Sequence, residues 1–116
     1  MEAGFSVDID RRDGVFLLRL RGELDMMSAP TLHDCLGAVL EVSRKPAVVI
    51  DVAELAFCDS SGLAALLGAQ RVTEATGGCM ALSAVTGRLS RLLQLTGLEE
   101  RFYVFSTTRE AVAFVK

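Results

Sequence analysis

The feature that most constrains this chain is the run Ala47-Val48-Val49-Ile50-Asp51-Val52. Four of its residues are β-branched, and they follow one another without the polar alternation of a half-exposed strand. Such a run reads as a strand covered on both faces, the sign of a parallel sheet inside an α/β fold. Glu54 to Phe57 continues it in extended form. Beyond the stretch Phe57-Cys58-Asp59-Ser60-Ser61-Gly62-Leu63, an apolar, alanine-rich segment from Leu63 to Ala75 reads as a helix. It stops at Thr76-Gly77-Gly78, where glycine permits the left-handed turn that closes a helix.

The remaining segments fit around that unit. Phe5, Val7 and Ile9 alternate with Ser6, Asp8 and Asp10, a period of two that predicts a strand. Asp13-Gly14 is a hairpin signal. Val15 to Arg21 follows as a second strand, with Phe16, Leu18 and Leu20 on one face and Arg19 and Arg21 on the other. Gly22-Glu23-Leu24-Asp25 reads as a loop, and Ser28 as the N-cap of a helix with Pro30 in its first turn. Leu32, Cys35, Leu36, Val39 and Leu40 give that helix an apolar stripe ending near Ser43. Cys79 to Leu82 is a short strand. Thr86 to Leu95 is a helix with Leu89, Leu92 and Leu93 inward, closed by Gly97. Phe102 to Phe105 is the last strand. Thr107-Thr108-Arg109-Glu110 is a capping box for a final helix whose inner face is Ala111, Phe114 and Val115.

The expected order is ββαβαβαβα in one domain over residues 1–116. It makes a mostly parallel five-stranded sheet with an antiparallel edge and about four helices. Sites in such sheets form at the carboxyl ends of the strands. The Asp25 loop and the Ser60 loop both follow strands and are expected to converge there.

Composition removes several function classes. With 12 Lys and Arg against 15 Asp and Glu, the net charge is −3. That gives no broad attraction to nucleic acid or to an anionic membrane. Cys35, Cys58 and Cys79 contain no C-x-x-C, and His33 is the single histidine, so no metal site is expected. Free thiols fit a reducing cytoplasm. Met1 to Arg12 alternates and carries no signal-peptide core, and no apolar run is long enough to span a bilayer. No phosphate-binding loop or nucleophile–base pair supports an enzyme.

The chemistry concentrates in Asp59-Ser60-Ser61-Gly62. Asp and Ser are common N-caps, and one of them is needed to satisfy the open amides of the helix. One cap requires one side chain, yet three polar side chains stand in a row. The helix N-terminus also favours an anion such as a phosphoryl group. Gly62 leaves room for close approach by a ligand or another backbone. Spacing alone leaves Ser60 and Ser61 tied.

Val48-Val49-Ile50-Asp51 followed by Phe57-Cys58-Asp59-Ser60-Ser61-Gly62-Leu63 resembles the signature of the STAS domain, in particular the bacterial anti-sigma factor antagonists. Gly22-Glu23-Leu24-Asp25 resembles that family's loop after the second strand, and Ser83 to Leu98 its third-helix region. The resemblance implies a phosphorylation-switched binding module that is not itself an enzyme, with Ser60 as the modified serine. It implies a partner surface of Asp25, Asp59, Ser60, Ser61, Gly62 and Leu63. The implied partners are an anti-sigma factor that is also a serine kinase with a histidine-kinase-like ATPase fold, and a metal-dependent serine phosphatase. ATP and Mg belong to that kinase, and no cofactor is expected on this chain. The alternative is a STAS module of a transporter, lipid-transport or stress-sensing assembly with no phospho-switch. Family members often carry glycine where this chain has Ala64-Ala65.

Other candidates have plain readings beside the functional ones. His33 is either a phosphohistidine carrier or a solvated surface residue. Cys58 is either activated by the helix N-terminus or a small buried apolar residue. Arg88 and Arg91 read as a solvated helix face. Along Leu63–Ala75, one stripe holds Leu63, Leu66, Leu67 and Gln70, and a second holds Ala65, Gly68, Ala69 and Val72. The second stripe is either close packing or a docking patch.

Overall fold

In a computed structural model, which describes residues 4–116, the chain forms β1 (Phe5–Arg12), β2 (Val15–Leu24), α1 (Ala29–Val42), β3 (Ala47–Cys58), α2 (Ser60–Ala75), β4 (Cys79–Ser83), α3 (Gly87–Thr96), a 3₁₀ turn (Glu99–Arg101), β5 (Tyr103–Phe105) and α4 (Thr108–Val115). The sheet order is β1-β2-β3-β4-β5. β1 and β2 are antiparallel, and every later neighbour is parallel. The ββαβαβαβα order and the antiparallel edge are as expected. The reading of Met1 to Ala3 as part of the alternating N-terminal segment lies outside the described residues.

The first hairpin turns on Asp13 and Gly14, both at positive φ (52° and 82°), the backbone of a type I′ turn. Each later connection moves one strand along the sheet in the same direction. A constant crossover hand therefore puts α1, α2 and α3 on one face. Their stripes, Leu32, Leu36 and Val39, then Leu63, Leu66 and Ala69, then Leu89 and Leu93, meet Phe16, Leu18, Leu20, Val48, Ile50 and Leu82 in the larger core. α4 alone covers the opposite face, where Ala111 and Val115 pack on Val15, Leu17, Val49 and Ala81. Hence β3 is apolar on both faces, and Arg19 and Arg21 share the α4 side with a thinner cover.

A polar chain ties α4 to that face. The Thr108 hydroxyl lies 3.0 Å from the Ser83 hydroxyl and donates to Asp51 at 3.3 Å. Asp51 also faces the Arg19 guanidinium at 3.7 Å. Nothing in the local sequence signals this contact, because its members come from four separate elements.

Several local expectations are corrected. Gly22 to Leu24 is not loop but the end of β2, paired with the tail of β3 through Gly22↔Leu55, Glu23↔Phe57 and Leu24↔Cys58. Two register shifts between Arg19 and Glu23 bend the strand to meet it. Ser28 stands at the start of α1 without capping it by its side chain. Phe114 is not inward. It is 44% exposed and stacks on the rings of Tyr103 and Phe105 at 4.7 and 5.1 Å. β5 begins one residue later than expected, at Tyr103, with Phe102 just before it buried in the core. The capping box is half formed. Thr107 Oγ1 accepts the Glu110 amide, while the Glu110 carboxylate takes the Thr107 hydroxyl.

Candidate functional site

The pairing of Leu24 with Cys58 brings the two expected loops together. Asp25 follows the first and Asp59 the second, so both leave the sheet side by side at its carboxyl end. The Asp59 amide donates to the Leu24 carbonyl at 3.4 Å, which holds the two exits against each other.

Asp59 is the N-cap of α2. Its carboxylate accepts the Gly62 amide at 2.9 Å, from an extended backbone. The helix therefore starts at Ser60, three residues earlier than the apolar run indicated, and both serines occupy its first turn. Ser60 is exposed and Ser61 half-buried. The cap is filled by the carboxylate, so neither hydroxyl is needed for it. Asp59→Ala is expected to lower stability by about 1 kcal/mol, and Asp59→Ser to recover most of that, measured by urea unfolding.

Gly62 and Leu63 are buried, Leu63 at 2% exposure. In the unbound chain they therefore offer little of the partner surface that the resemblance implies. A Cβ on Gly62 would run into the Leu24 carbonyl and sit 2.9 Å from Cys58 Sγ. The close approach that this glycine permits is thus made by the chain's own backbone. Leu63 faces the core because the first turn of α2 is rolled onto the sheet.

Asp25 builds the neighbouring turn. Its Oδ1 accepts the amides of Met27 and Ser28 at 2.9 and 3.1 Å. Ser28 locks the same turn from below. Its hydroxyl donates to the Glu23 carbonyl at 2.7 Å and accepts the Asp25 amide at 2.9 Å. This turn raises Met26 and Met27 into solvent at 71% and 83% exposure. Sequence reasoning singled out neither methionine. The available signal was a pair of large apolar residues in a polar turn beside the serine motif.

The two stripes of α2 overlap at their border: Leu67 is half-buried, and Ala69 both reaches the core and lines the groove. Leu63, Leu66 and Gln70 are buried. The small-residue stripe, with Ala64, lines an apolar groove of about 710 Å³ against α1, which contributes Pro30, His33 and Leu36. Ser61 and Met26 stand at its end. His33 is exposed on the rim, and Arg88 and Arg91 are exposed on α3.

Cys58 takes its plain reading. Burial, and then the adjacent Asp59 carboxylate, pushes its thiol from 9.0 up to about 11. The unfolded chain ionises this thiol first. Its contribution to stability is therefore full below about pH 9 and falls as pH climbs toward 11. Alkylation at pH 8 is expected to be slow in the folded protein and fast after unfolding, read by mass spectrometry. Burial first, and then Asp34 and Glu74 respectively, also raises Cys35 and Cys79. Among the described residues no group of three or more His, Cys, Asp or Glu is placed to hold a metal ion, and no helix is long and apolar enough to cross a membrane.

A small α/β domain with a capped serine pair at the exit of its central strand defines a class, and comparison with known proteins identifies it. The STAS domain model matches residues 6–111, and the chain belongs to that family. It is 30% identical over 92 residues to an anti-sigma F factor antagonist of Paenibacillus polymyxa, covering 79% of each chain. It is also 30% identical to the anti-sigma-F factor antagonist RsfB of Mycobacterium tuberculosis, covering 96% of this chain and 89% of that one. The crystal structure of an anti-sigma factor antagonist from Mycobacterium paratuberculosis superposes with a TM-score of 0.82 at 28% identity, over 96% of this chain and 93% of the other.

Proposed function

We propose that this protein is an anti-sigma factor antagonist switched by phosphorylation of Ser60. The unmodified form binds an anti-sigma factor that is also a serine kinase with a histidine-kinase-like ATPase fold, and binding releases the sigma factor. The kinase, supplied with ATP and Mg, phosphorylates Ser60, and a metal-dependent serine phosphatase reverses it. The protein acts in the cytoplasm as substrate and binding module, not as an enzyme.

The observation that carries this reading is the division of labour at the start of α2. Asp59 fills the cap, which leaves the exposed Ser60 hydroxyl in the first turn with no capping duty. A phosphoryl group there adds about −1.5 to −2 charges. The helix N-terminus tolerates that charge in the free protein, so the fold need not change. Asp59 and Ser61 flank Ser60 in the chain, the Asp25 turn leaves the sheet at the same end, and Met26 and Met27 add exposed apolar area of the adaptable kind used in docking. In the complex, a surface matched to a neutral hydroxyl next to Asp59 and near the Asp25 turn would meet a dianion.

The test is site-resolved phosphopeptide mass spectrometry on the protein from its native cell in growth and in stress, and after incubation with the cell's anti-sigma kinases and ATP. Phosphate at Ser60 that varies with condition is the expected result. An unmodified Ser60 throughout would overturn the switch and point to the constitutive module of a transporter or other assembly.

A further inference from the structure

Two methionines stand where folding asks for none. The turn after β2 is set by hydrogen bonds to Asp25 and Ser28, which hold the amides of Asp25, Met27, Ser28 and Ala29. None of these bonds uses a side chain at 26 or 27, and the turn would close equally well on polar residues. Both methionines are turned out, at 71% and 83% exposure. The pinned backbone keeps the two thioethers in solvent, and Met26 lines the groove that ends at Ser61.

The other sulfurs are guarded. Met80 is fully buried in β4, and Met1 lies outside the described residues. Cys35, Cys58 and Cys79 are half-buried. Burial first, and then a neighbouring carboxylate, raises each thiol, that of Cys58 to about 11. A peroxide reacts with the thiolate, which is scarce at neutral pH in all three. A thioether has no proton to lose and needs only access. Among the described residues, the sulfurs open to a peroxide are therefore Met26 and Met27, adjacent in the chain and both on the Asp25 turn.

We propose that Met26 and Met27 form an oxidation switch on the binding surface, with hydrogen peroxide as the oxidant. The thioether sulfur attacks one peroxide oxygen with a lone pair, and the O–O bond breaks. The proton on the new S–O group passes to the departing hydroxide, which leaves as water. Sulfur loses two electrons, peroxide gains them, and no bond of the chain breaks. Each sulfoxide puts a polar S–O group where there was apolar surface. The switch rests on the reading of the Asp25 and Ser60 end as the surface that meets an anti-sigma factor. That partner then meets two new acceptors next to Asp25 in the chain, so docking weakens with no phosphoryl group and no change of fold. A sulfoxide reductase reverses the step: two of its thiols return the electrons as they close to a disulfide, and the oxygen leaves as water.

Wild type and the double variant M26L/M27L are treated with millimolar hydrogen peroxide at neutral pH, quenched, and mapped by peptide mass spectrometry. Oxygen should add at Met26 and Met27 ahead of Met80 and the three cysteines. Calorimetric titration with the native cell's anti-sigma kinase then compares each protein with itself before and after peroxide. Wild type should lose affinity about tenfold or more, and methionine sulfoxide reductase should restore it. M26L/M27L, whatever its starting affinity, should lose none. An unchanged Tm shows that the fold is kept. Oxidation of Met26 and Met27 no faster than that of Met80 overturns the proposal. Equal loss of affinity in both proteins also overturns it, by tracing the loss to another sulfur. If oxidised wild type binds at full strength while Ser60→Asp does not, the phosphorylation reading stands and the oxidation switch falls. If untreated wild type does not bind the kinase, the phosphorylation reading falls and takes the switch with it.

Discussion

Ser60→Asp is expected to weaken binding to the anti-sigma partner about a hundredfold, while Ser60→Ala binds as the unmodified protein does and cannot be switched off. A hundredfold corresponds to about 2.7 kcal/mol. That is within the range for placing an unpaired carboxylate in a buried contact. Ser60 is exposed beside Asp59, and the Asp25 turn leaves the sheet at the same end, so a partner already facing two carboxylates meets a third. A phosphoryl group, with its larger charge, should cost more, about 3–4 kcal/mol, or a few hundredfold. Stability should move the other way. Position 60 is the first residue of α2, where an added negative charge gains roughly 0.3–1 kcal/mol from the helix dipole. Calorimetric titration with the partner, beside a thermal melt, separates the two effects. Equal affinity of the partner for wild type and Ser60→Asp would sink the electrostatic switch. Weaker binding with a lowered Tm would trace the loss to folding instead.

Gly62→Ala and Gly68→Ala should have opposite signs, although both add one methyl to the same helix. At Gly62 the new Cβ runs into the Leu24 carbonyl and lies 2.9 Å from both the Leu24 carbonyl carbon and Cys58 Sγ. Backbone cannot swing aside as a side chain can, so α2 must lift from β2 at the point where Asp59 bonds to Leu24. A loss of about 2–4 kcal/mol is expected, near the upper end for overpacking. At Gly68 a Cβ meets nothing within 4 Å, because the residue lines the open groove. There the alanine helix propensity should appear as a gain of about 0.5–1 kcal/mol. Urea unfolding of the two variants measures both. A Gly62→Ala protein within about 0.5 kcal/mol of wild type would show that α2 is not held against Leu24 as described.

The same glycine shows where sequence reading stops. Gly62 calls for close approach by something, and local sequence cannot say what. The neighbour is Leu24, 38 positions earlier, brought there when the tail of β2 pairs with the tail of β3. Gly22-Glu23-Leu24 reads as a loop for the same reason. Its glycine and acid carry no strand signal, and its hydrogen bonds come from a distant segment. Phe114 illustrates the complementary error, with Leu63 as its contrast. An apolar residue at helical spacing has to face something, but the roll of the helix on the sheet decides whether that is core, neighbour or solvent. It put Leu63 inside and left Phe114 stacked at the sheet edge.

What the sequence by itself determined is what near neighbours encode. The β-branched run Ala47–Val52, the alternation of Phe5–Ile9, the Asp13-Gly14 turn and the helical stripes carry the element order and the mixed sheet. The motif Asp59-Ser60-Ser61-Gly62 places three polar side chains at a helix start, where unpaired amides need a carboxylate. The tertiary structure alone decided which face each helix covers, that β2 extends to Leu24, and that the expected meeting of the Asp25 and Ser60 loops is made through the Leu24–Cys58 pair. It also decided that Met26 lines the same groove as Ser61 and that Met27 is turned out to solvent. Those outcomes depend on contacts between segments tens of residues apart. Their energies come from burial and pairing that no local window contains.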